Sequence, residues 1–105
     1  MAKTFNYRVY MGLNDKDEHV QIIPQEEAEK VFNNLVLRFF DGATVWNANG
    51  VYTHEDGTQV SENTLCCELV FADYVKVKKF VALLKKTFNQ ESVAVQMIEV
   101  EADLW

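Results

Sequence analysis

Three observations in the sequence predict an α+β fold, a four-stranded antiparallel sheet carrying two helices on one face. Apolar residues alternate with period two in the first and third of four strand-like runs, the mark of half-buried strands. Two longer stretches switch to helical spacing and interrupt the strand-like runs in the order β-α-β-β-α-β. The middle two strand-like runs are joined by Glu55-Asp56-Gly57-Thr58, and an Asp-Gly pair is a strong short-range hairpin signal. Two β-α-β halves of this kind build the ferredoxin-like arrangement, in which the first and third strands are central. The 105 residues are expected to form a single domain over 1–105, large enough to bury a core without disulfide or metal.

Each element has its own local reason. In the first strand Phe5, Tyr7, Val9 and Met11 share one face, while Asn6, Arg8 and Tyr10 share the other. A polar connection, residues 12–23, leads to Pro24, which suits a helix start, and Glu26, Glu27 and Glu29 complement the positive end of the helix dipole. Ala28, Val31, Phe32, Leu35 and Phe39 form one buried helical stripe, and Asp41-Gly42 stops it. The second strand opens at Ala43, and Asn49-Gly50 inside it predicts a bulge or tight bend. In the third strand Leu65, Cys67, Leu69 and Phe71 face one way, and Cys66, Glu68 and Val70 the other. Asp73 is placed to cap a second helix with Val77, Phe80, Val81, Leu84 and Phe88 as its stripe. A last strand from about residue 91 runs into an acidic segment containing Leu104 and Trp105.

Composition narrows the function. With 49% hydrophobic and 25% charged residues the chain is globular, and its net charge of −6 opposes attraction to phosphate backbones and anionic lipid. No run approaches the roughly 20 apolar residues of a membrane span, and the opening MAKTFNYRVY has no apolar signal core, so a cytoplasmic location is expected. Adjacent Cys66 and Cys67 point to opposite faces of a strand and make no disulfide framework; Cys67 reads as a core residue and Cys66 as an open-face one. Charge is segregated between the helices. Five lysines (76, 78, 79, 85 and 86) mark the second, and acidic residues mark the first, so the two are expected to attract where they lie side by side.

Helices cover one face of such a sheet, leaving Arg8, Tyr10, Cys66, Glu68 and Gln96 on the other. RNA-recognition domains use this face, with aromatic residues on both central strands and basic residues for phosphates. Here the third strand reads TLCCELV, without aromatic or basic residues, and Glu68 stands where a phosphate would approach. Nucleic acid is not an expected partner. Arg8 and Glu68 are expected to pair across the sheet, and Arg8, Tyr10, Trp46, Glu68 and Gln96 are the candidates for a ligand or subunit contact.

No pattern points to catalysis. Residues 15–26 imitate a calcium loop, but Val20 occupies the turn position that wants glycine and His19 replaces an oxygen ligand, so an acidic surface loop is expected. The other histidine, His54, precedes the hairpin turn, and neither histidine has a partner at metal-ligand spacing. No phosphate-cradling glycine loop or nucleophile elbow is present. No metal, cofactor or catalytic residue is assigned.

Residues 38–64, RFFDGATVWNANGVYTHEDGTQVSENT, together with FNQESV at 88–93, resemble a bacterial family known as domain of unknown function 3574. The matching positions are Phe39, Asp41, Gly42, Thr44, Val45, Gly50, Gly57, Glu62 and Gln90 through Val93. The resemblance implies a small ferredoxin-like fold and no assigned activity. It draws together a polar cluster at strand ends and loops, namely Asp41, Thr44, Glu62, Gln90 and Glu91. The reading reached from sequence is a non-enzymatic module that forms a homo-oligomer, most simply a dimer, and binds a small molecule or protein through its open sheet face. The alternative is a small enzyme of dimeric ferredoxin-like type with a cleft between helices and sheet.

Overall fold

The computed structural model describes residues 1–105, with elements β1 (Ala2–Gly12), α1 (Gln25–Phe39), β2 (Thr44–Thr53), β3 (Gln59–Leu69), α2 (Tyr74–Thr87) and β4 (Ala94–Ala102). The strands form one sheet in the order β2-β3-β1-β4, antiparallel throughout. The predicted α+β, ferredoxin-like architecture is therefore the observed one, with β1 and β3 central.

The core lies between the helices and one sheet face. Tyr7, Val9 and Met11 from β1 meet Leu65, Cys67 and Leu69 from β3, under Phe32 and Val36 of α1 and Phe80 and Leu84 of α2. Phe80 is the hub: its ring meets Phe32, Phe39 and Phe40 edge-on at 6.1, 6.1 and 5.4 Å. These are the residues whose spacing defined the stripes, with Val36 added on α1. Asp73 caps α2 by accepting the Lys76 N–H at 3.1 Å, whereas α1 starts at Pro24 with no side-chain cap. The Asp-Gly hairpin closes as predicted, with Gly57 at φ 88° and Asp56 accepting the Thr58 N–H. That bond is the main reason the Asp56 carboxyl sits below its ordinary pKa.

Four details depart from the sequence reading. No bulge interrupts β2, whose register with β3 is continuous from Thr44–Glu68 to Thr53–Gln59. Gly50 serves the neighbouring strand instead, because a Cβ there would meet the Thr64 hydroxyl at 3.0 Å. Phe5 has core parity yet is 40% exposed, since residues 2–6 of β1 extend past β3 and pair with β4 alone. Cys66 has open-face parity yet is fully buried, between register partners Tyr10 and Trp46 whose rings meet edge-on at 6.3 Å. Finally, no ion pair joins the two helices: the one salt bridge is Arg8–Glu68, and Glu29 of α1 accepts from the Asn47 amide instead.

The sheet is staggered. The β1–β4 ribbon overshoots at one corner, and the β2–β3 hairpin overshoots at the diagonally opposite one. The molecule is accordingly elongated, 47 × 27 × 22 Å.

Candidate functional site on the open sheet face

The open-face candidates come together as register demands. Thr44, Glu68, Arg8 and Gln96 form one row across the four strands. Arg8 Nε donates to Glu68 Oε2 at 2.7 Å, and this bond, more than simple charge attraction, raises the guanidinium pKa. Tyr10 donates its hydroxyl to Gln96 Oε1 at 3.4 Å, and Trp46 stands beside Tyr10. All four strands thus share a polar and aromatic band across the middle of the face.

The loop cluster divides. Glu62, Gln90 and Glu91 line one cleft, but Asp41 and Thr44 lie at the other end of β2. Thr44 pairs with Glu68 and Gly50 with Glu62, so six residues, about 20 Å of strand, separate the two groups.

The cleft, about 430 Å³, sits where the open face meets the β1–α1 and α2–β4 loops. Its floor is unusual for a strand pair: the Glu62 side chain folds over Gly12, into space that any Cβ would occupy. There its Oε2 accepts the Asn14 N–H at 2.9 Å. A carboxylate held by backbone in this way is positioned before any ligand arrives. Tyr52 and His54, from the hairpin, form one wall, with their rings edge-on at 5.2 Å. The other wall is tied together by Gln90, whose amide donates to the carbonyls of Asn14 and Phe88 at 2.9 and 3.1 Å. Beneath it Asn89 donates to both Asp15 and Asp17 at 2.9 Å. The Asn89 bond, followed by the Glu18 N–H, holds the Asp15 carboxyl below its ordinary value. The acidic loop that mimics a calcium site is therefore a braced wall of the cleft.

His19 and His54, dismissed singly in the sequence, both line this cleft. No group of three or more His, Cys, Asp or Glu side chains is placed to hold a metal. The missed signal was Gly12: a glycine in strand parity with Arg8 and Tyr10 marks a place where something approaches the backbone closely. Arranged this way, the cleft can hold a cationic group at Glu62 and stack a planar one on Tyr52, within the roughly 300–1,000 Å³ of small-molecule sites.

The fold and the site together define a small ferredoxin-like protein with a polar cleft on its open face. The chain belongs to the family described as Protein of unknown function (DUF3574), whose model matches residues 6–103. Among solved structures it is similar to a phage SAM lyase in complex with S-methyl-5'-thioadenosine, at 25% identity over 96% of this chain and 92% of that one, with a TM-score of 0.63. The phage SAM lyase in its apo state matches at 23% identity over 98% and 93%, with a TM-score of 0.61. A mutant of CutA1 from Pyrococcus horikoshii OT3 shares the fold at 16% identity over 96% and 87%, with a TM-score of 0.60. No curated protein sequence matches the chain. No helix is long and apolar enough to cross a membrane.

Proposed function

We propose that this protein is a homo-oligomer that binds S-adenosylmethionine (SAM) in the open-face cleft and cleaves it, releasing S-methyl-5'-thioadenosine. The observation that carries the reading is the Glu62 carboxylate, seated over Gly12 and fixed by the Asn14 N–H at the floor of a small-molecule-sized cleft. The likeness to a phage SAM lyase holding that thioether supplies the ligand class.

The chemistry constrains the pose. Cleavage breaks the bond between sulfur and the terminal carbon of the aminobutyrate chain. The electron pair returns to sulfur while the substrate's own carboxylate oxygen bonds to that carbon and closes a lactone, so no further reactant is needed. The sulfonium charge therefore disappears in the transition state. A carboxylate against the sulfur would stabilise the ground state more than the transition state and slow the step. Glu62 is better used on the substrate's ammonium group, which stays charged throughout. Tyr52 offers a face for the adenine ring or the cation, and the Gly12 floor admits the ligand close to backbone. The Arg8–Glu68, Tyr10 and Trp46 band beside the cleft carries the subunit contact in this reading.

A non-enzymatic binding module differs only in lacking turnover, so one assay separates the two. Purified protein is incubated with SAM, product thioether is followed by mass spectrometry, and binding of the thioether is measured by calorimetry. Release of thioether, with KM raised by Glu62→Gln, supports the lyase. Binding without release leaves a binding module, and absence of both overturns the proposal.

A further inference from the structure

A second feature lies on the helix side of the sheet and meets the cleft only at Lys16 and Gln90, which line both. Because α2 packs over the central strands, the helix-side residues of β4 stay uncovered: Val95 is 43% and Met97 56% exposed. Between them and α2 runs a groove of about 790 Å³, whose apolar wall includes Tyr7, Val77 and Val81. Lys16, Lys78, Lys85 and Lys86 rim it. None of these four has a carboxylate within ion-pair distance, since the sole salt bridge is Arg8–Glu68. In a chain of net charge −6 this is a concentration of unneutralised positive charge around an apolar trough.

The complementary surface is on the same chain. Glu99, Glu101 and Asp103 follow one another at every second position, and Leu104 and Trp105 after them are 84% and 100% exposed. The segment is acidic with a large apolar end, and the groove is apolar with a basic rim. A copy cannot fill its own groove. Trp105 lies three residues past β4, a reach of about 10 Å, whereas Val95 on the groove lies seven strand residues back from Ala102, about 24 Å.

We infer that residues 101–105 of one copy of this chain dock in the groove between α2 and β4 of the next, with Trp105 and Leu104 on the apolar wall and the acidic residues against the lysine rim. The contact is heterologous, the tail of each copy meeting the groove of another, so it closes a ring or extends a chain.

The test uses a fluorescent peptide of residues 99–105 and the full-length Leu104→Ala/Trp105→Ala variant, whose own tail no longer competes. Anisotropy is expected to show saturable binding. Raising salt from about 0.15 to 1 M, which shortens the Debye length from about 8 to 3 Å, should weaken it at least about tenfold. Lys85→Glu/Lys86→Glu should do the same. In parallel, native mass spectrometry should show fewer subunits for the Leu104→Ala/Trp105→Ala variant than for the wild type. No saturable binding, binding indifferent to the lysine substitutions, or an unchanged subunit count would each overturn the inference. These readouts involve no SAM, so failure here is separable from failure of the lyase reading.

Discussion

Replacing Gly12 by alanine tests the seat of Glu62 directly. Gly12 does not have a positive φ, so the backbone accepts alanine, and the three atoms nearest the new methyl all belong to the Glu62 carboxylate. The carboxylate must swing away, and the part-buried Asn14 N–H loses its acceptor. Losing a hydrogen bond to a charged acceptor costs about 1.5–3 kcal/mol. Against this, alanine restricts the unfolded chain and returns about 0.4–1 kcal/mol. The net expectation is a destabilisation of about 1–2 kcal/mol, near a 1 M drop in urea midpoint at an m-value of about 1.5 kcal/mol/M. The same substitution in a Glu62→Ala background meets no carboxylate, so it should stabilise slightly. The cycle then gives a coupling of about 1.5–3 kcal/mol. Equal effects in the two backgrounds would refute the seat, and with it the positioned carboxylate on which the cleft's chemistry rests. Thioether binding measured on the single variant adds a functional readout, expected to be lost.

Three further outcomes follow from the packing and the charges. Phe80→Ala removes the ring on which Phe32, Phe39 and Phe40 converge and should cost about 3–5 kcal/mol in chemical denaturation. Burial raises the Cys66 thiol, and burial together with its neighbour's charge pushes Cys67 up to about 12. At pH near 8 the Cys67 thiolate fraction is then about 10⁻⁴, so a thiol reagent should count no reactive cysteine in the native protein and two in denaturant. Asp15 has a lowered native pKa, so the unfolded state binds protons first: its stabilisation is present above the ordinary value of 3.8 and is lost as pH falls through the native value. Asp15→Asn should flatten the acid limb of a midpoint-against-pH curve, and an unchanged slope would remove Asn89 as its anchor.

The fold was legible because its determinants are local. Strand parity sorted Tyr7, Val9 and Met11 from Arg8 and Tyr10, helical spacing picked out Phe32 and Phe80, and Asp56-Gly57 announced the hairpin. Parity failed where a neighbour supplied the cover: Cys66 is buried by Tyr10 and Trp46, which belong to other strands. It failed again at Phe5, where no helix reaches. The cleft was illegible for the same reason in stronger form. Gly12, His19, His54, Glu62 and Gln90 come from four separate segments, each locally ordinary, and only the sheet register and the Gln90 bonds bring them together. Asp41 and Thr44 illustrate the converse, since a shared family pattern grouped residues that the length of β2 holds apart.

The stagger of the sheet sets how the molecule opens over time. Only residues 7–10 of β1 and 64–68 of β3 have a paired strand on both sides, and they carry Tyr7, Val9, Leu65 and Cys67 of the core. The two overhanging corners are ribbons of two strands with a free edge each, little stabilised by packing. Amide hydrogen exchange should therefore fall into three tiers: fast at the hairpin tip, intermediate along both overhangs, and slow only in the central block. The Glu62 seat is at the border between the hairpin overhang and that block. Fraying of the hairpin would carry Tyr52 and His54 away from a carboxylate whose anchor at Asn14 stays in place, so the cleft can exchange its contents without the core ever unfolding.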